Sequence, residues 1–299
     1  MTHLLRLRSL ILAVLIAGIA NAADFKADPP HACDACDTWG KPREPFHIYG
    51  NTWFVGGGLT SILITSDQGH VLIDGGLTQT APQIAANIEK LGFHLEDVKY
   101  ILNSHTHFDH AGGIAALQRA SGASVMASPT AKLALQAGKP TSDDPQFTFH
   151  DTFPAVRNVH ALEDGETLPI GGVSVRFTPG HTPGGTSWVW QSCERETCLN
   201  MVYADSLNSV SAPDFRFTGD AKHPSRVATF EKSIATIESL PCDILITPHP
   251  EAIDLDAKLA RREKEPMKNP FIDRGACKAY AAGARERLAK RIAEEQATR

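Results

Sequence analysis

Apolar and polar positions alternate in short runs over much of the chain. His47 to Val55, Ser61 to Thr65 and Val71 to Asp74 recur at strand spacing with turn residues between them, which predicts an antiparallel β-meander. Ala81 to Leu91 switches to helical spacing and stops at Gly92. Val98 to Leu102 reads as a buried strand, Ile114 to Gln118 as the start of a helix and Ser124 to Ala127 as another strand. The second half repeats the scheme, with strands near Val173 to Thr178, Thr186 to Trp190 and Met201 to Tyr203. A helix from Arg226 to Leu240, a strand from Ile244 to Thr247 and a charged helix from about Gly275 to Glu294 follow. Meanders with helices interleaved in each half predict an α/β protein: two mixed β-sheets packed face to face, with helices on the outer faces. Asp24 to Pro45 is a Pro-rich lead expected to be mobile. Residues 138–156 form an irregular stretch long enough to face a substrate.

Composition narrows this picture. A chain of 299 residues with 42% hydrophobic content can bury a large core, and no internal repeat or linker divides it. Arg6 and Arg8 precede an apolar run from Leu10 to Ala20 that ends in Ala20-Asn21-Ala22, the pattern of a secretory signal peptide and too short to span a bilayer comfortably. Residues 1–22 are therefore expected to be removed, leaving one domain over 23–299 that is exported to the periplasm and not held in a membrane. Their removal takes two arginines and no acid, moving the formal charge from -5 to -7, which gives no reason to expect a nucleic-acid partner. An even count of six cysteines in an exported chain favours disulfides. Proximity suggests Cys33 with Cys36, Cys193 with Cys198 across a polar turn, and Cys242 with Cys277, one of several connectivities that six cysteines allow. The rival reading of Cys33 and Cys36, a zinc knuckle or redox pair, lacks a second pair of ligands nearby.

The chemistry lies in His105-Thr106-His107-Phe108-Asp109-His110, followed by Gly112-Gly113. Three imidazoles and a carboxylate within six residues are a dense set of transition-metal ligands. In an extended segment His105, His107 and Asp109 would face one way and His110 the other, so one loop could feed two metals. Four ligands do not complete two sites. Two further histidines stand in rigid turns directly after strands: His181 in Pro179-Gly180-His181-Thr182-Pro183 and His249 in Pro248-His249-Pro250. The remaining histidines of the expected mature chain, His31, His47, His70, His94, His150, His160 and His223, read as ordinary satisfied or surface residues.

The pattern His105-x-His107-x-Asp109-His110 with His181 and His249 resembles the metallo-β-lactamase superfamily. Pro45 to Gly56, the run from Leu91 through Lys99 into the histidine cluster, Gly180 to Trp188 and Tyr203 to Leu207 resemble subclass B3 within it, over nearly the whole mature chain. The resemblance implies the αβ/βα four-layer sandwich and zinc-dependent hydrolysis of the β-lactam amide of penicillins, cephalosporins and carbapenems, hence antibiotic resistance. It also implies two Zn2+ per chain: one on His105, His107 and His181, the other on Asp109, His110 and His249. Asp109 would be the catalytic carboxylate, orienting the attacking water. Ser206, where another subclass has a cysteine ligand, would contact substrate, and Asn208 stands where relatives often have a second hydroxyl. In lactonases and hydroxyacylglutathione hydrolases of the superfamily an aspartate near Asp205 bridges the metals, so an exported dizinc lactonase or thioesterase is the alternative. Asp74 is expected either behind the metal loop or capping a turn. The partner is a small β-lactam, and the enzyme is expected to act as a monomer.

Overall fold

The protein is described by a computed structural model over residues 25–149, 152–221 and 223–297. Residues 1–22, expected from the sequence to be a signal peptide, and His150 lie outside these residues. One sheet holds seven strands in chain order: β1 (Phe46–Tyr49), β2 (Thr52–Phe54), β3 (Ile62–Ile64), β4 (His70–Ile73), β5 (Val98–Leu102), β6 (Ser124–Ala127) and β7 (Val159–Ala161). The first four form the antiparallel meander that the alternation predicted, with the run His47 to Val55 split by a turn at Gly50-Asn51 into β1 and β2, and the last three join in parallel. A second sheet holds β8 (Ser174–Phe177), β9 (Thr186–Glu194), β10 (Thr197–Tyr203) and β11 (Ile244–Ile246) in the order β11-β10-β9-β8. Helices α1 (Cys36–Trp39), α2 (Ala81–Lys90), α3 (Phe108–Ala111), α4 (Ile114–Ser121), α5 (Pro129–Ala137), α6 (Val227–Ser239), α7 (Leu255–Lys264) and α8 (Ala276–Ala297) complete the described chain.

Side chains alternate across a strand, so each strand of the larger sheet serves two cores. Ile62, Ile64, Val71 and Ile73 pack with Trp188, Trp190 and Met201 of the facing sheet. Their neighbours Leu63 and Leu72 turn to the other side and meet Ile84 and Ile88 of α2 and Leu117 of α4. Phe230 and Ile234 of α6 and Ala281 and Leu288 of α8 cover the smaller sheet. This is the four-layer sandwich.

Several sequence expectations need correction. Residues 25–45 are folded against the body: Phe25, Cys33, Cys36 and Trp39 pack on the core beneath α2 and α4, and the His31 N–H donates to Thr78 Oγ1 at 3.0 Å. The metal loop is not extended to its end, because α3 begins at Phe108 and carries Asp109 and His110 on one helical turn. Gly112 and Gly113 do not end an extended strand; a Cβ on Gly113 would come within 2.2 Å of the Gly75 carbonyl, so glycine lets the loop lie against the turn after β4. Strands β9 and β10 run into the stretch read as a polar turn. Disulfide Cys193–Cys198 crosses that hairpin, and Cys33–Cys36 and Cys242–Cys277 are the other two bridges. Beyond His249 the chain carries α7 as well as the C-terminal helix.

Candidate metal centre

The site forms where strand ends of both sheets meet. The Thr186 N–H at the start of β9 donates to the Ser104 carbonyl just past β5 (2.8 Å), and the Thr60 N–H donates to the Pro248 carbonyl (3.0 Å). Three separate turns, after β5, β8 and β11, thereby bring His105, His107 and His110, His181, and His249 to one place. Asp74 fixes the first of them. It sits at φ 61° directly after β4, fully buried, and accepts from the Ser104 N–H (2.7 Å), Ser104 Oγ (2.6 Å) and the Tyr203 hydroxyl (2.6 Å). Burial pushes its carboxyl up, with His110 and these donors opposing the rise. It therefore braces the metal loop from behind.

His105, His107 and His181 each offer a ligand nitrogen, and these atoms lie within 4.8 Å of one another; His105, Asp109 and His110 form a second group within the same limit. Each imidazole of the first group has one ring nitrogen engaged by a protein acceptor. His105 Nδ1 faces Asp205 Oδ1 at 2.7 Å, His107 Nε2 faces Asp144 Oδ1 at 3.2 Å, and His181 Nδ1 faces the Asn208 carbonyl at 2.8 Å. An acceptor on one nitrogen holds the ring and sets the tautomer in which the other carries a lone pair. Nearby, the Nε2 atoms of His110 and His249 are 3.1 Å apart, and Asp109 Oδ2 is 3.0 Å from the first and 3.4 Å from the second.

The electrostatics agree with a ligand set. Burial, with neighbouring imidazoles adding to it, holds His105 well below the usual histidine range and lowers His181 to about 3, so both are neutral. Burial alone would raise Asp109, but His110 and His249 hold it well below the usual carboxylate range and therefore ionised. His249 also feels burial, which would lower it, yet Asp109 and Glu251 raise it to about 9. Neutral imidazoles at His105 and His181 and an ionised Asp109 are donors that suit divalent transition metals, zinc foremost, while His249, held protonated by Asp109 and Glu251 without metal, would give up its proton on binding one. The residues present thus fit the metal that the sequence pattern implies.

The clusters floor a cleft of about 510 Å³. Ser206 and Asn208 line it. Asp205 is fully buried behind His105, so the serine and not the aspartate faces the site. The walls include groups that no local pattern marked. Trp39 of α1 lies edge-on to the His249 ring (5.5 Å between centroids), and Phe108 packs at a tilt against His31 (4.0 Å). Pro140 and Gln146 come from the irregular stretch after α5, whose Asp144 is buried against His107, and Tyr280 and Arg287 come from α8. Among the described residues, His47, His70, His94, His160 and His223 join neither group.

Fold and donor set define a metal-dependent hydrolase, and comparison with known proteins specifies which. Residues 55–194 match the model of the metallo-beta-lactamase superfamily. The Rm3 metallo-beta-lactamase superposes with a TM-score of 0.86 at 49% identity, covering 89% of this chain and 100% of that one. MEM-A1, a subclass B3 metallo-beta-lactamase from a soil metagenome library, superposes with a TM-score of 0.84 at 50% identity, covering 87% and 100%. An N-acyl homoserine lactonase of Bacillus cereus is 26% identical over 42% of this chain, and the match spans only 55% of the lactonase. The chain belongs to the metallo-β-lactamases and stands among those of subclass B3.

Proposed function

We propose that this protein is an exported β-lactamase that hydrolyses the amide of penicillins, cephalosporins and carbapenems with two zinc ions, and so confers resistance to them. The observation that carries the reading is the convergence of six nitrogen and oxygen donors from three distant turns, five of them lining one cleft and His110 buried against His249 and Asp109, in a chain 45–50% identical over most of its length to subclass B3 enzymes. His105, His107 and His181 would hold one zinc, and Asp109, His110 and His249 the other. Zinc supplies Lewis acidity and lowers the pKa of water from about 15.7 to about 7.

The chain's own residues do the rest. Asp205, Asp144 and the Asn208 carbonyl aim the three imidazoles. Ionised Asp109 would orient the attacking water and relay its proton to the amide nitrogen as the C–N bond breaks. Ser206 and Asn208 offer donors to the substrate, while Trp39, Phe108 and Val210 form apolar walls that pack the ring system and limit water. The lactonase alternative is weaker, because the aspartate that would bridge metals in such an enzyme is here spent on His105 Nδ1. Export is supported by the pattern of residues 1–22 and by the disulfides. Incubating the zinc-loaded protein with a carbapenem, an acyl-homoserine lactone and a glutathione thioester tests the assignment. Only the carbapenem should be turned over efficiently; preference for either other substrate would replace this reading.

A further inference from the structure

β-Lactams of the fused-ring classes carry a carboxylate beside the scissile amide, and the cleft needs something to hold it. Among the described residues that line the cleft, Arg287 is the only lysine or arginine. It projects from α8 one heptad after Tyr280, on the same face of the helix. Both side chains grip the stretch that presents Ser206 and Asn208. The Tyr280 hydroxyl donates to the Asp205 carbonyl and accepts from the Leu207 N–H, each at 3.1 Å, and Arg287 Nη2 donates to the Leu207 carbonyl at 3.3 Å. That single long bond uses one of the five donors of a guanidinium. The Ser206 hydroxyl and the Asn208 amide likewise have no side-chain partner among the described residues, although both line the cleft. Three sets of uncommitted donors, one of them permanently charged, thus border the same wall. Glu251 and Asp109 keep negative charge around His249.

We propose that Arg287 is a specificity-determining residue that binds the ring carboxylate of the substrate together with Ser206 and Asn208. Its guanidinium supplies the charge that a serine and an amide cannot. The inference rests on the β-lactamase reading above and adds a residue to it. A guanidinium–carboxylate contact is a charge-assisted hydrogen bond, stronger than a neutral one. It exists in the bound ground state and in the transition state alike, so its loss should appear mainly in KM.

The test pairs Arg287→Ala and Arg287→Lys with two forms of one cephalosporin, the free acid and the ester of its ring carboxylate. For the acid, Arg287→Ala should raise KM roughly tenfold to a hundredfold with kcat changed by less than about threefold. Arg287→Lys should restore part of the loss. For the ester, wild type and Arg287→Ala should have the same KM. Zinc content and melting temperature are measured on each variant. Should Arg287→Ala lose either, Arg287→Gln carries the comparison, since it removes the charge and keeps a donor for the Leu207 carbonyl. Equal losses on acid and ester would mean that Arg287 only props up Leu207, and no change on the acid would mean that it does not touch substrate; either result overturns the inference while leaving the parent reading intact. Failure of the wild-type protein to hydrolyse the acid would overturn both.

Discussion

Six side chains carry the chemistry, and their spacing in the chain reveals their kind better than their roles. His105, His107, Asp109 and His110 are legible because four metal-binding side chains in so short a run have no packing explanation. His181 and His249 are legible because proline and glycine lock the turns that hold them. Their supports are not. Asp144, Asp205 and the Asn208 carbonyl each orient an imidazole from 27 to 100 positions away, and Trp39 reaches His249 from a lead that looked unstructured. No local pattern encodes such contacts, since the fold alone brings them together. Replacing His249 by alanine removes one of three donors from the Asp109 group. The expected outcome is a protein that keeps its fold but retains about one zinc by elemental analysis, with hydrolysis falling by at least about a hundredfold, since ligand loss should exceed the 10–100-fold typical of outer-shell changes. Two tightly bound zincs in that variant would show that the ligand set is misassigned.

Elements with a long periodic signal, such as α2, α6 and α8, are where alternation and helical spacing placed them, within a residue or three. The elements that escaped have reasons. β7 is three residues long with a single buried position, too short to show a period. α7 is densely charged and is fastened less by an apolar stripe than by Arg262, which lies over the Phe271 ring (4.7 Å) and donates to the His47 carbonyl (2.7 Å). α8 does more than cover the smaller sheet. Near its end Glu295 accepts from the Phe217 N–H (2.9 Å), the Thr218 N–H (2.8 Å) and Arg291 Nε (2.7 Å), tying down the segment that leads from the cleft edge toward α6. Burial would raise the Glu295 carboxyl, but Arg291, Thr218 and Phe217 hold it below the usual glutamate range. A carboxylate depressed in the folded state stabilises the protein above its unfolded pKa of about 4.3, and that contribution is lost as pH falls through the folded value. Glu295→Gln should therefore melt below wild type at pH 7, with the gap narrowing as pH drops below about 4. A gap that stays constant or widens on acidification would show that the charge is not what holds the segment.

At the scale of the whole molecule, two sheets bury a common core and leave their turns to meet at one edge. That edge is where the ligands lie, so the sandwich is the device that converts distant histidines into adjacent ones. The alternation in the sequence foretold the two-sheet layering, and the histidine turns foretold the edge. Of the cleft walls, only the irregular stretch after α5 was foretold, through Pro140 and Gln146; α1 and α8, which come from opposite ends of the chain, complete them without a local signal. If this edge is a zinc-dependent β-lactam hydrolase, carbapenem turnover before and after exhaustive removal of metal will show it. The zinc-loaded protein should hydrolyse the carbapenem, lose at least about 99% of that activity on chelation, and recover it as roughly two zinc ions per chain are restored. Full activity in protein shown to be free of zinc, or no β-lactam hydrolysis by the fully loaded protein, would contradict it.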